Sequence, residues 1–281
     1  QVQGWGGAAG EGKNPPTGSV IYFSMASEPD LGKAPVSLAI LSADGQVLNT
    51  FEASDNRSGL TAKTGLNRFI WDWNVAALEK AGADLATYRR PVSYRVAPGT
   101  YTARLNVGTQ SASQAFEVTS DPRIPLSAAE SSQKQALLQS IYAEAGSLLE
   151  QVAALRTIHS DAEALRKIMQ GNQSAELENA GSALVAQIDD WLVRNVEEGD
   201  KNFVEAGHSP SRLDFSLFEV LNLVDGSHTP LTQGVLDRVA NVRARYSVAL
   251  NDYNSILSDE LARFNSLTAE QSVPAIVPGD S

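Results

Sequence analysis

Residues 137–155, LLQSIYAEAGSLLEQVAAL, decide the fold of the second half of this 281-residue chain. Their apolar residues recur at alternating spacings of three and four, the period of an amphipathic helix with a coiled-coil-like seam. Ser127 and Glu130 precede this run as a capping-box pair, so we expect one long helix that begins near residue 127. The seam consists of Leu138, Ile141, Ala145, Leu148, Val152 and Leu155.

Two further seams with the same period follow along the chain. Thr229 and Pro230 are the expected N-cap and first residue of the helix that carries the last seam. A short helix is expected over residues 215–223, and the connections are short. We therefore predict an antiparallel bundle of three to four helices over residues 126–270. The second seam is Leu177, Gly181, Leu184, Ile188 and Trp191, and the third is Val235, Val239, Val242, Tyr246, Ala249, Tyr253 and Ile256.

Short β-rich runs occupy the first half of the chain. Turn dipeptides separate them, among them Asp44-Gly45, which accepts positive φ in a tight hairpin, and Pro98-Gly99. Such a series of short strands predicts an Ig-like or fibronectin-like β-sandwich over residues 15–122. The chain is thus expected to have an all-β domain followed by an all-α domain. The runs are 20–23, 36–41, 47–51, 67–73, 101–107 and 115–118.

Charge and composition support the same division. Residues 1–125 hold 11 basic and 11 acidic residues, so the net charge of -11 resides in the second half. Residues 1–14 are expected to form a Gly-rich linker and residues 271–281 a C-terminal tail. The acidic excess argues against nucleic acid or an anionic membrane as a partner. No apolar run is long enough for membrane insertion, so the sequence is typical of a soluble protein whose signal, if any, has been removed.

Motifs for common chemistries are incomplete in this sequence. Residues 7–13 match the start of a phosphate-binding loop, but Asn14 replaces the required Ser or Thr. The absence of cysteine excludes a disulfide framework, a thiolate nucleophile and Cys-ligated metal. Neither a Gly-x-Ser-x-Gly motif nor a pair of histidines at helical spacing occurs, so we expect no catalytic residue and no metal site. The histidines are His159, His208 and His228, and the acidic clusters are Asp189-Asp190, Glu197-Glu198-Asp200 and Asp259-Glu260, which we interpret as solvated helix faces.

Aromatic residues around Asp72 are the candidates for carbohydrate binding. Trp71, Trp73 and Asp72 could form a sugar platform, and strand alternation places Phe69, Trp71 and Trp73 on one face. Such a stripe is more typical of a buried core. Asp72 has two interpretations, a catalytic or calcium-binding carboxylate and a strand-end turn acceptor, of which the second is favoured. No cofactor is expected, although calcium remains possible at the loop carboxylates Glu28, Asp30 and Asp55.

Four segments in fixed order resemble a known family. They are Asn14–Tyr22, Gly65–Asp72, Ala97–Thr102 and Asp121–Arg123, and Pro230–Gly234, Leu261–Asn265 and Val273–Ile276 continue the match in the helical half. Together they resemble the C-terminal region of secreted BNR-repeat, sortilin-like β-propeller proteins, many of which are described as glycosyl hydrolases. The β portion is also similar to the Ig-like domain of flagellar hook-capping proteins, through Asp44-Gly45, Trp71-Asp72 and Pro98–Tyr101.

The resemblance implies an Ig-like module and a helical bundle that lie after a large propeller. The propeller and its Ser/Asp-box repeats are missing from this sequence, so no hydrolase residue is transferred to it, and we expect the chain to be a piece of a longer protein. The expected function is that of a non-catalytic accessory module packed against a propeller, in cis or in another chain. The alternative is a part of an extracellular glycosyl hydrolase whose sandwich contributes to carbohydrate binding. Either implies a secreted, periplasmic or cell-surface location.

Overall fold

In the computed structural model, the described residues are 17–78, 92–123, 126–168, 175–196 and 211–270. They form two antiparallel sheets and a series of helices, so the fold is mixed β and α. The chain divides into two compact units, Gln1–Ala76 with Arg95–Asp121 and Ala77–Tyr94 with Pro122–Ser281. We call them the β unit and the helical unit.

The β unit contains six strands, and each predicted run overlaps one of them. The smaller sheet pairs β1 with β4, and the larger has the order β3-β2-β5-β6. Strand β4 ends at Trp71, two residues earlier than the sequence pattern predicts. The strands are β1 (Ser19–Met25), β2 (Val36–Leu41), β3 (Val47–Glu52), β4 (Gly65–Trp71), β5 (Gly99–Val107) and β6 (Gln110–Val118).

Both sheets contribute side chains to one hydrophobic core. Strand alternation directs every second residue of β4 inward, so Phe69 and Trp71 are buried while Arg68 and Ile70 are exposed. The predicted hairpin at Asp44-Gly45 is confirmed, because Gly45 has φ +85° and its N–H donates to the Ser42 carbonyl at 3.0 Å. The core comprises Met25, Val36, Leu38, Ile40, Leu60, Phe69, Trp71, Tyr101 and Ala103.

All three predicted seams lie in helices. The capping box is confirmed, since Glu130 Oε2 accepts from the Ser127 N–H at 2.8 Å and from its hydroxyl at 2.7 Å. The start of the last long helix was predicted wrongly: Thr232, not Thr229, is the N-cap, and its side chain accepts from the Val235 N–H. The helices are α1 (Ala128–Ile168), α2 (Ala175–Asn195), α3 (Leu213–Gly226) and α4 (Gln233–Ser255), and a π-helix (Ile256–Leu261) then connects α4 to α5 (Ala262–Glu270).

The helices pack through these seams. Helix α1 contacts α2 and α3, α3 contacts α4, and α2 contacts both α5 and the π-helix. At Gly181 a Cβ atom would lie 3.0 Å from the Phe264 ring, so the absence of a side chain lets α2 and α5 approach closely. Trp191 is fully buried, and its indole N–H donates to the Ala249 carbonyl of α4 at 2.9 Å.

Ala77–Tyr94 is a part of the helical unit although it lies between two strands in sequence. The Leu78 side chain reaches α1, where it lies 3.3 Å from the position of a Cβ on Gly146. The rings of Tyr94 and Tyr142 meet edge to face with centroids 5.3 Å apart. Neither composition nor periodicity indicates that Leu78 and Tyr94 pack against α1.

Candidate functional site

Trp71 lies at the centre of the β-unit core. Its side chain is fully buried, and its ring meets Tyr101 and Phe116 edge to face at centroid distances of 5.5 and 5.9 Å. The indole N–H donates to the Asn74 carbonyl at 2.9 Å, so the one polar atom of the side chain has a partner. A sugar ring stacks on an exposed aromatic face, and Trp71 offers none in this conformation.

Asp72 and Trp73 form the turn that follows β4. Both carboxylate oxygens of exposed Asp72 accept from Asn74, Oδ2 from its side-chain amide at 2.7 Å and Oδ1 from its backbone N–H at 3.3 Å. This is the turn-acceptor geometry. Trp73 has φ +66°, which takes it out of the strand, so the predicted alternation of Phe69, Trp71 and Trp73 on one strand is wrong. Its indole N–H donates to the Ser19 hydroxyl at 3.0 Å.

The opposite side of the β1–β4 sheet carries an exposed apolar surface. In the strand register Tyr22 faces Arg68, and their exposed neighbours on the same side are apolar except for Ser24. Tyr22 is 60% exposed and Leu66 74%. We call this surface the outer face, and it consists of Val20, Tyr22, Ser24, Leu66, Arg68 and Ile70.

The outer face concentrates apolar exposure. Eight large hydrophobic residues of the described chain are exposed, and four of them lie here. Scattered single exposures are ordinary, but a contiguous group marks an interaction surface. This surface was not predicted from the sequence. Its signal was present in β1, where Val20 and Tyr22 alternate with the equally apolar Ile21 and Phe23, a pattern that a strand with one solvated face does not need.

Two of the three candidate calcium carboxylates, Asp30 and Asp55, make local hydrogen bonds and ion pairs. Asp30 accepts from the Gly32 N–H at 3.1 Å and lies 3.3 Å from Lys33. Hydrogen bonds from the Arg57 backbone and side chain lower the pKa of Asp55. Among the residues that the structure describes, no three His, Asp or Glu side chains converge to hold a metal ion.

Acidic residues on α2 and α4 form ion pairs with basic side chains. Asp189 lies 3.2 Å from His159, while Arg194 bridges Asp190 on α2 and Asp252 on α4, at 2.8 Å to each. The hydrogen bond to Asp252 is the main cause of a raised Arg194 pKa. Three of the sequence candidates lie outside the described residues: the acidic cluster Glu197-Glu198-Asp200, His208 and residues 7–13.

A cavity of about 230 Å³ opens beside the π-helix. Its lining combines the Arg194–Asp252 ion pair with the acidic side chains of Asp259 and Glu260. The remaining lining residues are Gln187, Ser255 and Ile256. The lining therefore carries three acidic side chains, one guanidinium and the Ser255 hydroxyl.

One further ion pair is partly buried in the helical unit. Arg243 Nε lies 2.8 Å from Glu144 Oε1, and the Glu144 side chain is 21% exposed. Burial raises the pKa of Glu144, while Arg243 opposes that shift. The pair joins α1 to α4, which is a structural role.

No protein-family model, curated protein or solved structure matches the chain. No helix in the described ranges combines the length and apolar character needed to cross a bilayer.

Proposed function

We propose that this chain is a non-catalytic interaction module of a secreted, sortilin-like BNR-repeat protein, which packs against a β-propeller through the outer face. In this proposal the two sheets form an Ig-like or fibronectin-like sandwich and the helices an antiparallel bundle. The core shared by both sheets supports the sandwich, and the contacts of α1, α3 and α4 support the bundle. A secreted, periplasmic or cell-surface location belongs to the same proposal.

The outer face is the observation that carries the proposal. Its apolar side chains would leave water on association, at roughly 25 cal/mol for each Å² buried. Arg68 stands opposite Tyr22 and provides a guanidinium that would pair with a carboxylate of the partner. Tyrosine and arginine are the residue types enriched at interface hot spots. The ion pairs of Asp189, Asp190 and Asp252 support a structural rather than catalytic role for these acids.

Binding to purified propeller domains tests the proposal. The full chain would be titrated by calorimetry against a panel of sortilin-like β-propeller domains, and we expect one or more to bind. The double variant Tyr22→Ser with Leu66→Ser should bind at least about tenfold more weakly. Val248→Ser removes an apolar side chain that is 56% exposed from α4 and is the control. Absence of binding to the whole panel, or equal weakening by both variants, would contradict the proposal.

Carbohydrate binding is the second candidate function, and Tyr22 favours it. A tyrosine ring that is 60% exposed beside a guanidinium can stack on a sugar and donate hydrogen bonds to its hydroxyls. The platform would then be the outer face and not Trp71. A polysaccharide panel with and without calcium tests this candidate, and the calcium arm also tests the loop carboxylates. Binding that Tyr22→Ser abolishes supports it, whereas an unaffected variant excludes the outer face.

A further inference from the structure

The two edges of the four-stranded sheet differ. Outside β3, the segment after β4 covers the edge: the Ala76 N–H donates to the Leu48 carbonyl at 2.7 Å, and the Asn49 side chain donates to the Asn74 carbonyl at 3.3 Å. At the other edge, β6 pairs with β5 over all of Gln110–Val118 without a bulge. Its second edge has no backbone partner within the described ranges.

The turn between β5 and β6 determines which backbone groups of β6 point outward. Gly108 and Thr109 form the two-residue loop, so Val107 and Gln110 are the hydrogen-bonded pair that closes it. Hydrogen-bonded and non-hydrogen-bonded pairs alternate along an antiparallel ladder. The N–H and C=O groups of alternate residues therefore point away from β5. These residues are Ser111, Ser113, Ala115 and Glu117.

β6 also lacks the features that normally block an open edge. Proline, lysine, bulges and inward charges prevent unwanted pairing in natural sheets. The sequence QSASQAFEV contains none of them, and Glu117 is its only charged residue. The side chains of Gln110–Ala115 are exposed on both faces of the strand and are small or uncharged. An added strand would therefore meet no charged side chain of β6 along Gln110–Ala115.

We propose that β6 pairs antiparallel with β6 of a second copy, centred on Gln114, to give a continuous eight-stranded sheet across a dimer. This register is the one that pairs the whole strand. It places Ser113 opposite Ala115 of the second copy and Ser111 opposite its Glu117, so all four outward residues meet outward residues.

A second copy presents an edge of the same nine-residue length and the same spacing of outward groups, and its charges are compatible with this register. The two Glu117 side chains lie six residues apart along the paired strands, about 20 Å, which exceeds the Debye length of about 8 Å at physiological salt. Like charges therefore do not face each other at the junction. A single edge of nine residues buries less than the roughly 800 Å² per partner of a standard interface, so the dimer is weak, with dissociation in the micromolar range or above.

A disulfide trap tests this register, because the chain has no cysteine of its own. Gln114→Cys places two thiols in a non-hydrogen-bonded pair across the two-fold axis, where Cα atoms are about 4.5 Å apart and a disulfide can form. Ser111→Cys, equally exposed, places its two thiols about 20 Å apart in the same dimer and is the matched control. Under mild oxidation of the full chain, Gln114→Cys should cross-link at least about tenfold faster.

Two further measurements complete the test. A mixture of Ser111→Cys and Glu117→Cys chains should yield the mixed dimer in preference to either homodimer. In sedimentation of the unmodified chain, the dimer should strengthen with added salt, since each copy carries a net charge of -11. Gln114→Lys should abolish it, because two ammonium groups then face each other. Equal cross-linking rates for Gln114→Cys and Ser111→Cys, or a monomer at millimolar concentration, would overturn the proposal.

Discussion

Trp71 shows how one side chain links a strand to the turn that ends it. The ring is buried in the core to which both sheets contribute, while the indole N–H donates to the Asn74 carbonyl beyond the end of β4. On the solvent side, the exposed Asp72 carboxylate accepts hydrogen bonds from the backbone N–H and the side-chain amide of Asn74. The turn is therefore fixed from both faces, and this role accounts for the acidic residue that the sequence places beside a core tryptophan.

Replacement of Trp71 tests its position in the core. Trp71→Ala should lower the free energy of unfolding of the β unit by about 3–5 kcal/mol, through lost burial and the cavity left behind. Tyr22→Ala, which truncates an exposed aromatic residue of the same unit, should change it by no more than about 0.5 kcal/mol. Urea unfolding followed by tryptophan and tyrosine fluorescence gives both values. Equal effects of the two substitutions would show that Trp71 is not a core residue.

Glu130 gives the capping box a defined pH dependence. Hydrogen bonds from the Ser127 hydroxyl, and then from its backbone N–H, hold the pKa of Glu130 below the ordinary value of 4.5. A lowered pKa in the folded state means that the ionised carboxylate stabilises the fold above pH 4.5 and that this stabilisation is lost as pH falls through the lowered pKa. Unfolding midpoints of wild type and Glu130→Gln should therefore differ at pH 7 and converge in acid.

The Ser127→Ala background supplies the control for that experiment. Without the serine hydroxyl, the main cause of the lowered Glu130 pKa is gone. The effect of adding Glu130→Gln to this background should then depend much less on pH. A pH-dependent effect of undiminished size would place its origin outside the capping box.

At the scale of a single residue, the sequence allows the core position of Trp71 and the Ser127–Glu130 pair to be predicted, because burial and capping follow from pattern and residue type. The conformation of Trp73 could not be predicted. A positive φ is a rare state for a bulky residue, and it arises here from tertiary contacts such as the hydrogen bond to Ser19.

Among the elements, the π-helix explains why the predicted last seam stops at Ile256. The next buried residue is Leu261, five positions later, and Phe264 and Thr268 then follow at three and four. A spacing of five would rotate an ordinary α-helix so that Leu261 left the seam. The wider π turn accommodates one additional residue, and the apolar side stays turned toward α2.

Deletion of one exposed residue from the π-helix tests this interpretation. Removal of Ser258 leaves Ile256 and Leu261 four positions apart, so we expect the segment to become α-helical with unfolding stability within about 1 kcal/mol of wild type. Removal of Ser247, exposed on α4, rotates every later seam residue by roughly 100° and should strongly destabilise the helical unit. Circular dichroism during thermal unfolding compares the two, and equal damage would contradict the interpretation.

Helices and strands were predictable here to different degrees. The three helical seams and the six β-rich runs can be predicted from periodicity alone, because the spacing of apolar residues shows which side of an element is apolar. Strand pairing does not follow in this way: nothing local to β1 indicates that β4 is its partner across two intervening strands. The helix start at Thr232 was missed because Thr229 and Thr232 are both competent N-caps, and hydrogen bonding to the Val235 N–H decides between them.

For the whole molecule, the segment Ala77–Tyr94 is the feature that sequence reasoning could not supply. Composition divides the chain once, near residue 122, whereas contacts assign this earlier segment to the helical unit. Val92 and Tyr94 are buried there. The apolar residues of such a segment have the same sequence pattern as those of a strand. The unit against which they pack therefore depends on the shape of the surface that they contact, which the pattern does not contain.

Tyr94→Ala tests the assignment of Ala77–Tyr94 to the helical unit, because Tyr94 lies between two strands in sequence. We expect it to lower the free energy of unfolding of the helical unit by about 3 kcal/mol, because the ring contact with Tyr142 is lost and a cavity remains. Far-UV circular dichroism follows the helical transition, and Tyr142→Ala should reproduce the shift. If Tyr94→Ala leaves that transition unchanged, the segment does not belong to the helical unit.

The assignment of Ala77–Tyr94 also means that the polypeptide passes from one unit to the other three times, after residues 76, 94 and 121. A backbone cut after Asp121 yields two pieces, yet the first still carries Leu78 and Tyr94 in their places against α1. The nicked protein should therefore migrate as one species until denaturant separates it. By the same logic, pieces ending at 121 and beginning at 122 form a natural split pair, whose reassembly could report on an encounter between proteins fused to them.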